Sequence, residues 1–354
     1  MGCHASHRGC CILPPELLRR IARNGNAKQR DAALDTLAVD QTLRLGRATW
    51  ELLNAGTRRG LFGTPGAGKQ RSIYDAQGAE TLPGRLVRAE GAPAAGDVEV
   101  NEAYDGLGAT FDFYAEVYDR NSIDDEGLHL DASVHYGRRY DNAFWNGQQM
   151  VFGDGDGELF NRFTISLDVI AHELTHGVTG DEARLVYLGQ AGALNESISD
   201  VFGSLVKQYA RRQSADEADW LIGEGLFTAN VHGVALRSMK APGTAYDDPV
   251  LGRDPQPSTM DGYVRTSADD GGVHTNSGIP NRAFYLAAVA LGGYAWEKAG
   301  RIWYETVRDK RLKPTATFRQ FARLTVQNAG HFFGKPERQA VAAAWAEVGI
   351  KTAG

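Results

Sequence analysis

The chain has 354 residues, room for about two domains of ~150 residues and a remainder. A hydrophobic content of 42%, with 14 Phe, 13 Tyr and 6 Trp, excludes a chain that is disordered throughout. A net charge of −6 argues against nucleic acid as a partner, and no run of ~20 apolar residues predicts membrane insertion.

All three cysteines, Cys3, Cys10 and Cys11, fall in the first eleven residues, so the rest of the chain has no disulfide framework. The same stretch is too poor in apolar residues for a secretory signal, because Ile12-Leu13 runs straight into Pro14-Pro15. The expectation is cytoplasmic synthesis, with any export by a non-classical route. Residues 14–54 predict a self-contained helical module built on Leu17, Leu18, Ile21, Leu34, Leu37 and their successors. The Gly/Pro-rich stretch 56–70 predicts an exposed linker, where proteolytic nicking concentrates. Within it, Gly63–Lys69 nearly spells a phosphate-binding loop, but Gln70 stands where a magnesium-binding Ser or Thr is required. Residues 71–165 are strand-like and turn-rich, apart from a helix over 103–120. Beyond 165 the pattern predicts helices over 166–179, 193–211, 276–291, 295–307, 315–329 and 336–347. The fold class is therefore α+β. A module and linker at 1–68 precede a β-rich lobe at 69–165 and a mainly α-helical lobe at 166–354.

Chemistry concentrates in His172-Glu173-Leu174-Thr175-His176. On a helix, residues i and i+4 share a face, so both imidazoles can reach one ion, and Glu173 beside them can take a proton from a metal-activated water. Ser166 is the candidate N-cap, and Gly177 and Gly180 are expected to end the helix. On the order of one chain in a hundred of this length shows such a pattern by accident, so a third ligand is needed. Glu196 supplies it, 24 residues after His172 (196 − 172). It completes a two-His, one-Glu set that leaves a fourth zinc position open. Asp200, one turn beyond Glu196, can fix the tautomer of a liganded imidazole, and Asn195 joins it in support. His274 follows a Gly-Gly turn with Asp269 upstream, which suits a cation held near a developing oxyanion; Tyr187 is a second donor.

Together with Asn142-Ala143-Phe144-Trp145-Asn146-Gly147 and Gly272–Gly278, these residues resemble the thermolysin family of zinc metallopeptidases over about 70–350. Cys11-Ile12-Leu13-Pro14-Pro15-Glu16-Leu17-Leu18 resembles the short propeptide of protealysin-like members. The resemblance implies a precursor of a zinc endopeptidase that cuts before large hydrophobic residues. It makes His172, His176 and Glu196 the ligands of one catalytic Zn2+, with Glu173 the general base. Tyr187 and His274 become oxyanion donors, Asp269 orients His274, and Asn142, Ala143 and Arg237 hold the substrate backbone. Phe160, Phe163, Val169 and Leu236 line the pocket for the residue after the scissile bond. It implies peptide or protein substrates, the chain's own propeptide as inhibitor or chaperone, and a small protein inhibitor as a further partner. The family's double calcium site keeps Asp168, Asp219 and Glu224, but Lys207 and Leu221 occupy two acidic positions. Val234 stands at another acidic position, and the loop near Glu90 is shortened. Calcium is thus an open second cofactor, with Lys207 expected to replace one calcium charge. A thiolate from Cys10 or Cys11 is one candidate to cap the fourth zinc position, His4 and His7 are rivals, and a tail of uncoordinated thiols is the simpler expectation.

Overall fold

A computed structural model describes residues 11–53 (43–53 as backbone only) and 68–352. Helix α1 (Pro15–Asn24) opens on a proline, whose missing N–H is no loss in a first turn, and stops at Gly25. Helix α2 (Ala27–Leu53) follows after a reciprocal cap: Gln29 N donates to Asn26 Oδ1 (3.1 Å) and Asn26 N to Gln29 Oε1 (2.9 Å). The module is not self-contained. Leu17, Leu18 and Ile21, the buried stripe of α1, join the main hydrophobic core together with Ile12 and Leu13. The two helices alone offer too little apolar surface for a core of their own, so the stripe is buried against the body instead. Most of the expected linker, including much of the loop-like Gly63–Lys69, lies outside the described residues. Lys69 itself is committed to Asp112, with Nζ 2.6 Å from Oδ2.

Next come β1 (Arg71–Asp75), β2 (Arg85–Ala89), α3 (Val98–Tyr118), β3 (Leu130–Val134), β4 (Ala143–Trp145) and β5 (Gln149–Phe152). The strands form one sheet in the order β2-β1-β3-β5-β4. β1, β3 and β5 run parallel, and the edge strands β2 and β4 are antiparallel. Every residue of β3 is buried, as a central parallel strand under a covering helix requires. α3 starts ahead of the expected position 103 because the Asp97 side chain caps it, accepting from Glu99 N (2.9 Å).

The second lobe contains α4 (Leu167–Glu182), α5 (Gly189–Arg211), α6 (Asp269–Asn276), α7 (Gly278–Leu291), α8 (Ala299–Val307), α9 (Phe318–Phe332) and α10 (Lys335–Glu347). Gly203 allows α5 to press onto α4: a Cβ there would lie 2.5 Å from the Asp168 carbonyl oxygen. Three local expectations are corrected. Gly177 and Gly180 lie inside α4 rather than ending it, and a Cβ at Gly177 would meet Ile123 Cγ2 at 2.4 Å. Ser166 does hold the expected N-cap position of α4, but the side-chain bond of a cap is not made: its hydroxyl lies 2.7 Å from Asp168 Oδ1 and 3.1 Å from the Glu224 carbonyl. The single helix expected over 276–291 is preceded by α6, which opens on a left-handed turn with φ of 48° at Asp270, 89° at Gly271 and 75° at Gly272. No helix among the described residues is long and apolar enough to cross a membrane.

Candidate metal centre

α4 and α5 bring His172, His176 and Glu196 to one point beneath the edge strand β4. His172 Nε2 and His176 Nε2 are 3.0 Å apart. Glu196 Oε2 lies 3.5 Å from the first and Oε1 3.5 Å from the second. A tetrahedral ion with bonds of ~2.0–2.1 Å holds its ligand atoms about 3.3 Å apart, so the three donors already have the spacing of a zinc site. All three are buried, and Glu196 Oε2 has no hydrogen-bond partner within the protein. Such an orphaned buried oxygen, facing two imidazole nitrogens, fits a cation.

The outer ring nitrogens are fixed. His172 Nδ1 donates to Asp200 Oδ1 (2.8 Å) and His176 Nδ1 to Asn195 Oδ1 (2.8 Å), leaving both Nε2 atoms to face the centre. Ser199 Oγ, 3.0 Å from His176 Nδ1, is a further support that sequence reading missed, although its i+3 spacing from Glu196 could have revealed it. Burial opposes charge on His172, yet Asp200 and Glu196 lift its pKa to about 9. Burial pushes His176 down to about 3. With no ion, one proton on His172 thus balances the Glu196 carboxylate, a job a metal ion can take over.

Glu173 is buried beside these ligands, and its Oε2 accepts from the backbone N–H of Trp145 on β4 (3.1 Å). Across the centre, the Tyr187 hydroxyl donates to Glu196 Oε1 and lies 3.3 Å from His274 Nε2. Asp269 accepts from His274 twice, from Nδ1 (2.7 Å) and from the backbone N–H (2.9 Å). Burial works against an imidazolium at His274, but Asp269 and Glu196 raise its pKa to about 9. Gln256 Nε2, which no sequence signal marked, donates to the His274 carbonyl (2.8 Å).

Arg237 reaches the site from another direction. Its Nε and Nη2 grip both oxygens of Asp200 (2.9 and 2.8 Å), and Asn281 Nδ2 donates to Asp200 Oδ2 (2.8 Å). Burial opposes ionisation of Asp200, yet Arg237 and His172 hold its pKa down at about 2. Phe160, Phe163, Val169 and Leu236 are all buried in the core that also takes Ile12.

The cleft along β4 is filled by residues 11–13. The Ile12 N–H donates to the Ala143 carbonyl (3.2 Å), and Arg237 Nη1 donates to the Ile12 carbonyl (3.2 Å). Leu13 N donates to Asn142 Oδ1 (3.0 Å). The Cys11 carbonyl accepts from His274 Nε2 (3.1 Å). This corrects the idea of a Cys11 thiolate cap: the Cys11 side chain packs with Tyr136, Tyr140, Phe144 and Val151, and only its backbone faces the centre. Cys10, His4 and His7 lie outside the described residues. Asp40 of α2, also unmarked in the sequence, accepts from Tyr140 Oη (2.5 Å) and Asn142 Nδ2 (2.9 Å).

At the double calcium position, Lys207 Nζ lies 2.8 Å from Asp168 Oδ2, 2.8 Å from Asp219 Oδ1 and 2.7 Å from the Leu221 carbonyl. Near the shortened loop, Glu90 is paired with Arg71 at 2.6 Å, and Val234 is exposed. Elsewhere His135 sits among Asp97, Glu99 and Asp154 at 2.9–3.2 Å. Its hydrogen bond to Asp154 leads the effects that lift its pKa to about 10.

Comparison with known proteins agrees with this geometry. The family description "Thermolysin metallopeptidase, catalytic domain" matches residues 53–180, and "Thermolysin metallopeptidase, alpha-helical domain" matches residues 183–350. The chain is 56% identical over 346 residues to an extracellular metalloprotease of Pectobacterium carotovorum subsp. carotovorum, covering 97% of this chain and 96% of that one. It is 40% identical over 284 residues to thermolysin of Bacillus caldolyticus, covering 75% of this chain and 48% of that one. Among solved structures, the precursor of protealysin, a metalloproteinase from Serratia proteamaculans, matches with a TM-score of 0.88 and 56% identity, over 96% of this chain and 99% of that one. This chain belongs to the thermolysin family of metallopeptidases.

Proposed function

We propose that the chain is the precursor of a zinc-dependent endopeptidase, with 1–68 as propeptide and linker, 69–165 as the β-rich catalytic lobe and 166–354 as the helical lobe. The observation that carries this is the convergence of His172, His176 and Glu196 at 3.0–3.5 Å, beside a cleft whose edge strand already binds an extended segment. Bound zinc supplies Lewis acidity and lowers the pKa of an attacking water. Glu173 takes the proton of that water and returns it to the leaving amine. His274 and Tyr187 donate to the substrate oxygen as it gains charge, and Asp269 keeps His274 aimed and protonated. Ala143, Asn142 and Arg237 hold the backbone beyond the scissile bond, while Phe160, Phe163, Val169 and Leu236 select a large apolar side chain there.

The segment in the cleft makes the propeptide an inhibitor of its own enzyme, since it uses the groups a substrate needs. A separate small protein inhibitor of the same cleft is a further partner class. Lys207 fills the calcium position with an ammonium group, so the enzyme needs no calcium there. The extracellular naming of a relative supports release from the cell.

The test is hydrolysis of a quenched peptide after the linker is cut. Leu or Phe after the scissile bond should be accepted and Asp refused, chelation should abolish turnover, and zinc should restore it. Glu173→Ala should bind one zinc per chain and stay inactive; turnover by that variant would sink the mechanism.

A further inference from the structure

A chain can block a peptidase cleft by running backwards, or by offering no carbonyl at the catalytic centre. Residues 11–13 do neither. Cys11 pairs antiparallel with Phe144, and the chain continues along β4 with Ile12 and Leu13 on Ala143 and Asn142. The Cys11 carbonyl sits at His274 Nε2, 3.1 Å away, next to the hydroxyl of Tyr187. Ile12 is fully buried in the core that also holds Phe160, Phe163, Val169 and Leu236, with its carbonyl on Arg237. Ala143, Asn142, Arg237 and His274 are all engaged, and the peptide bond between the oxyanion donor His274 and the Arg237 clamp is Cys11–Ile12.

The register cannot slip toward the C-terminus. Moving by one residue would place Leu13 N on the Ala143 carbonyl and Pro14 N on Asn142 Oδ1. Proline has no N–H to donate there. Moving by two would place Pro14 on Ala143 with the same defect. Pro14-Pro15 therefore locks Cys11–Ile12 over the centre.

We propose that Cys11–Ile12 is a self-cleavage bond, hydrolysed by the zinc-loaded enzyme in its own chain. This rests on the peptidase reading above. Water supplies the new oxygen on the Cys11 carbonyl carbon, the C–N bond to Ile12 breaks, and Glu173 passes a proton to the Ile12 nitrogen. The products are a Cys11 carboxylate and a new amino terminus at Ile12. The cut does not free the cleft. Ile12 stays buried, and the segment remains tied by Leu13 to Asn142, by Asn26 to Glu158 (3.0 Å), by Asp40 to Tyr140 and by the buried face of α1. The clipped precursor is thus still inhibited until the linker is cut.

The experiment is intact-mass and N-terminal analysis of the zinc-loaded precursor over time, at several dilutions, beside Glu173→Ala. The wild type should convert fully to a species beginning at Ile12, at a rate independent of protein concentration, and Glu173→Ala should not convert. Pro14→Ala, which unlocks the register, should add a second species beginning at Leu13. In the zinc-free Glu173→Ala precursor, the Ile12 and Leu13 amides should resist hydrogen exchange; free exchange there would overturn the register without any activity readout. Retention of residues 1–11 by a preparation that hydrolyses a test peptide would overturn this inference alone. Failure to hydrolyse any peptide after linker cleavage would overturn the peptidase reading itself.

Discussion

Lys207 offers a sharp test of how charge is balanced in the helical lobe. Its ammonium is 3% exposed and bonds Asp168, Asp219 and the Leu221 carbonyl at 2.7–2.8 Å. Burial works against its charge, but the two carboxylates hold its pKa above the ordinary lysine value. Lys207→Met removes the cation and leaves the fully buried Asp168 with only Ser166 Oγ and Gly223 N, both on Oδ1. Breaking a buried pair this way costs about 3–5 kcal/mol. Asp219 is partly exposed and retains Arg211 at 3.3 Å, which places the loss near the lower end. For a chain of this length a fall of about 3 kcal/mol lowers the melting temperature by about 4 °C. Lys207→Glu is the informative partner. It sets a new carboxylate beside Asp168, Asp219 and the Leu221 carbonyl, an oxygen-rich group of the kind calcium takes. Calcium at a hundred times its Kd should return about 2.7 kcal/mol to that variant. Denaturant unfolding in a Glu173→Ala background, with and without calcium, reads both effects without self-digestion. A wild type stabilised by calcium through this site, or a Lys207→Met protein as stable as its parent, would refute the reasoning.

Asp40→Ala removes a buried carboxylate from Tyr140 and Asn142, at a cost of about 1.5–3 kcal/mol to the propeptide contact; the uncut precursor should then show basal peptide hydrolysis that the parent lacks. His135 has a folded pKa of about 10 against 6.5 ordinarily, so its contribution to stability is complete below pH 6.5 and fades as pH rises through 10. Glu99, raised to about 8 chiefly by burial, acts in the same direction. His135→Gln should flatten the pH dependence of unfolding in that window; an unchanged profile would count against the cluster. Zinc binding at pH 6 should release about one proton, because metal-free His172 carries one with a pKa of about 9 and must lose it to ligate. Calorimetry in buffers of different ionisation enthalpy measures this, and heats that do not depend on buffer would exclude it.

The metal site was legible because helical geometry turns i, i+4 spacing into a shared face, and Glu196 and Asp200 repeat that spacing on α5. The edge-strand and pocket residues were reached by family resemblance, since nothing in a segment such as Asn142–Asn146 announces a role. What stayed hidden depends on distant contacts. Arg237 meets Asp200 across 37 positions, and Asp40 meets Asn142 across 102. A lone Asp on an amphipathic helix reads as solvated, yet Asp40 is buried. Gly177 looked like a stop signal because a glycine that ends a helix and one that admits Ile123 are identical in sequence. The N-terminal module reads as self-contained because its apolar spacing says nothing about which surface covers it.

The propeptide's hold on the site has two separable sources. Asp200 grips both His172 and Arg237, so the carboxylate that steadies a metal ligand also aims the group that clamps a bound chain. Residues 11–13 use that constellation as any extended peptide would, and gain no advantage over substrate from it. The advantage comes from contacts of α1 and α2 that a short substrate cannot make: Leu17, Leu18 and Ile21 in the core, and Asp40 on Tyr140 and Asn142. It comes also from tethering. A tethered segment faces its cleft at an effective concentration on the order of millimolar. Cutting the linker changes none of the described contacts but removes the tether, and at micromolar protein that is a loss of about a thousandfold. Activation therefore needs no rearrangement of the site, only an intermolecular affinity for the freed segment weaker than the protein concentration.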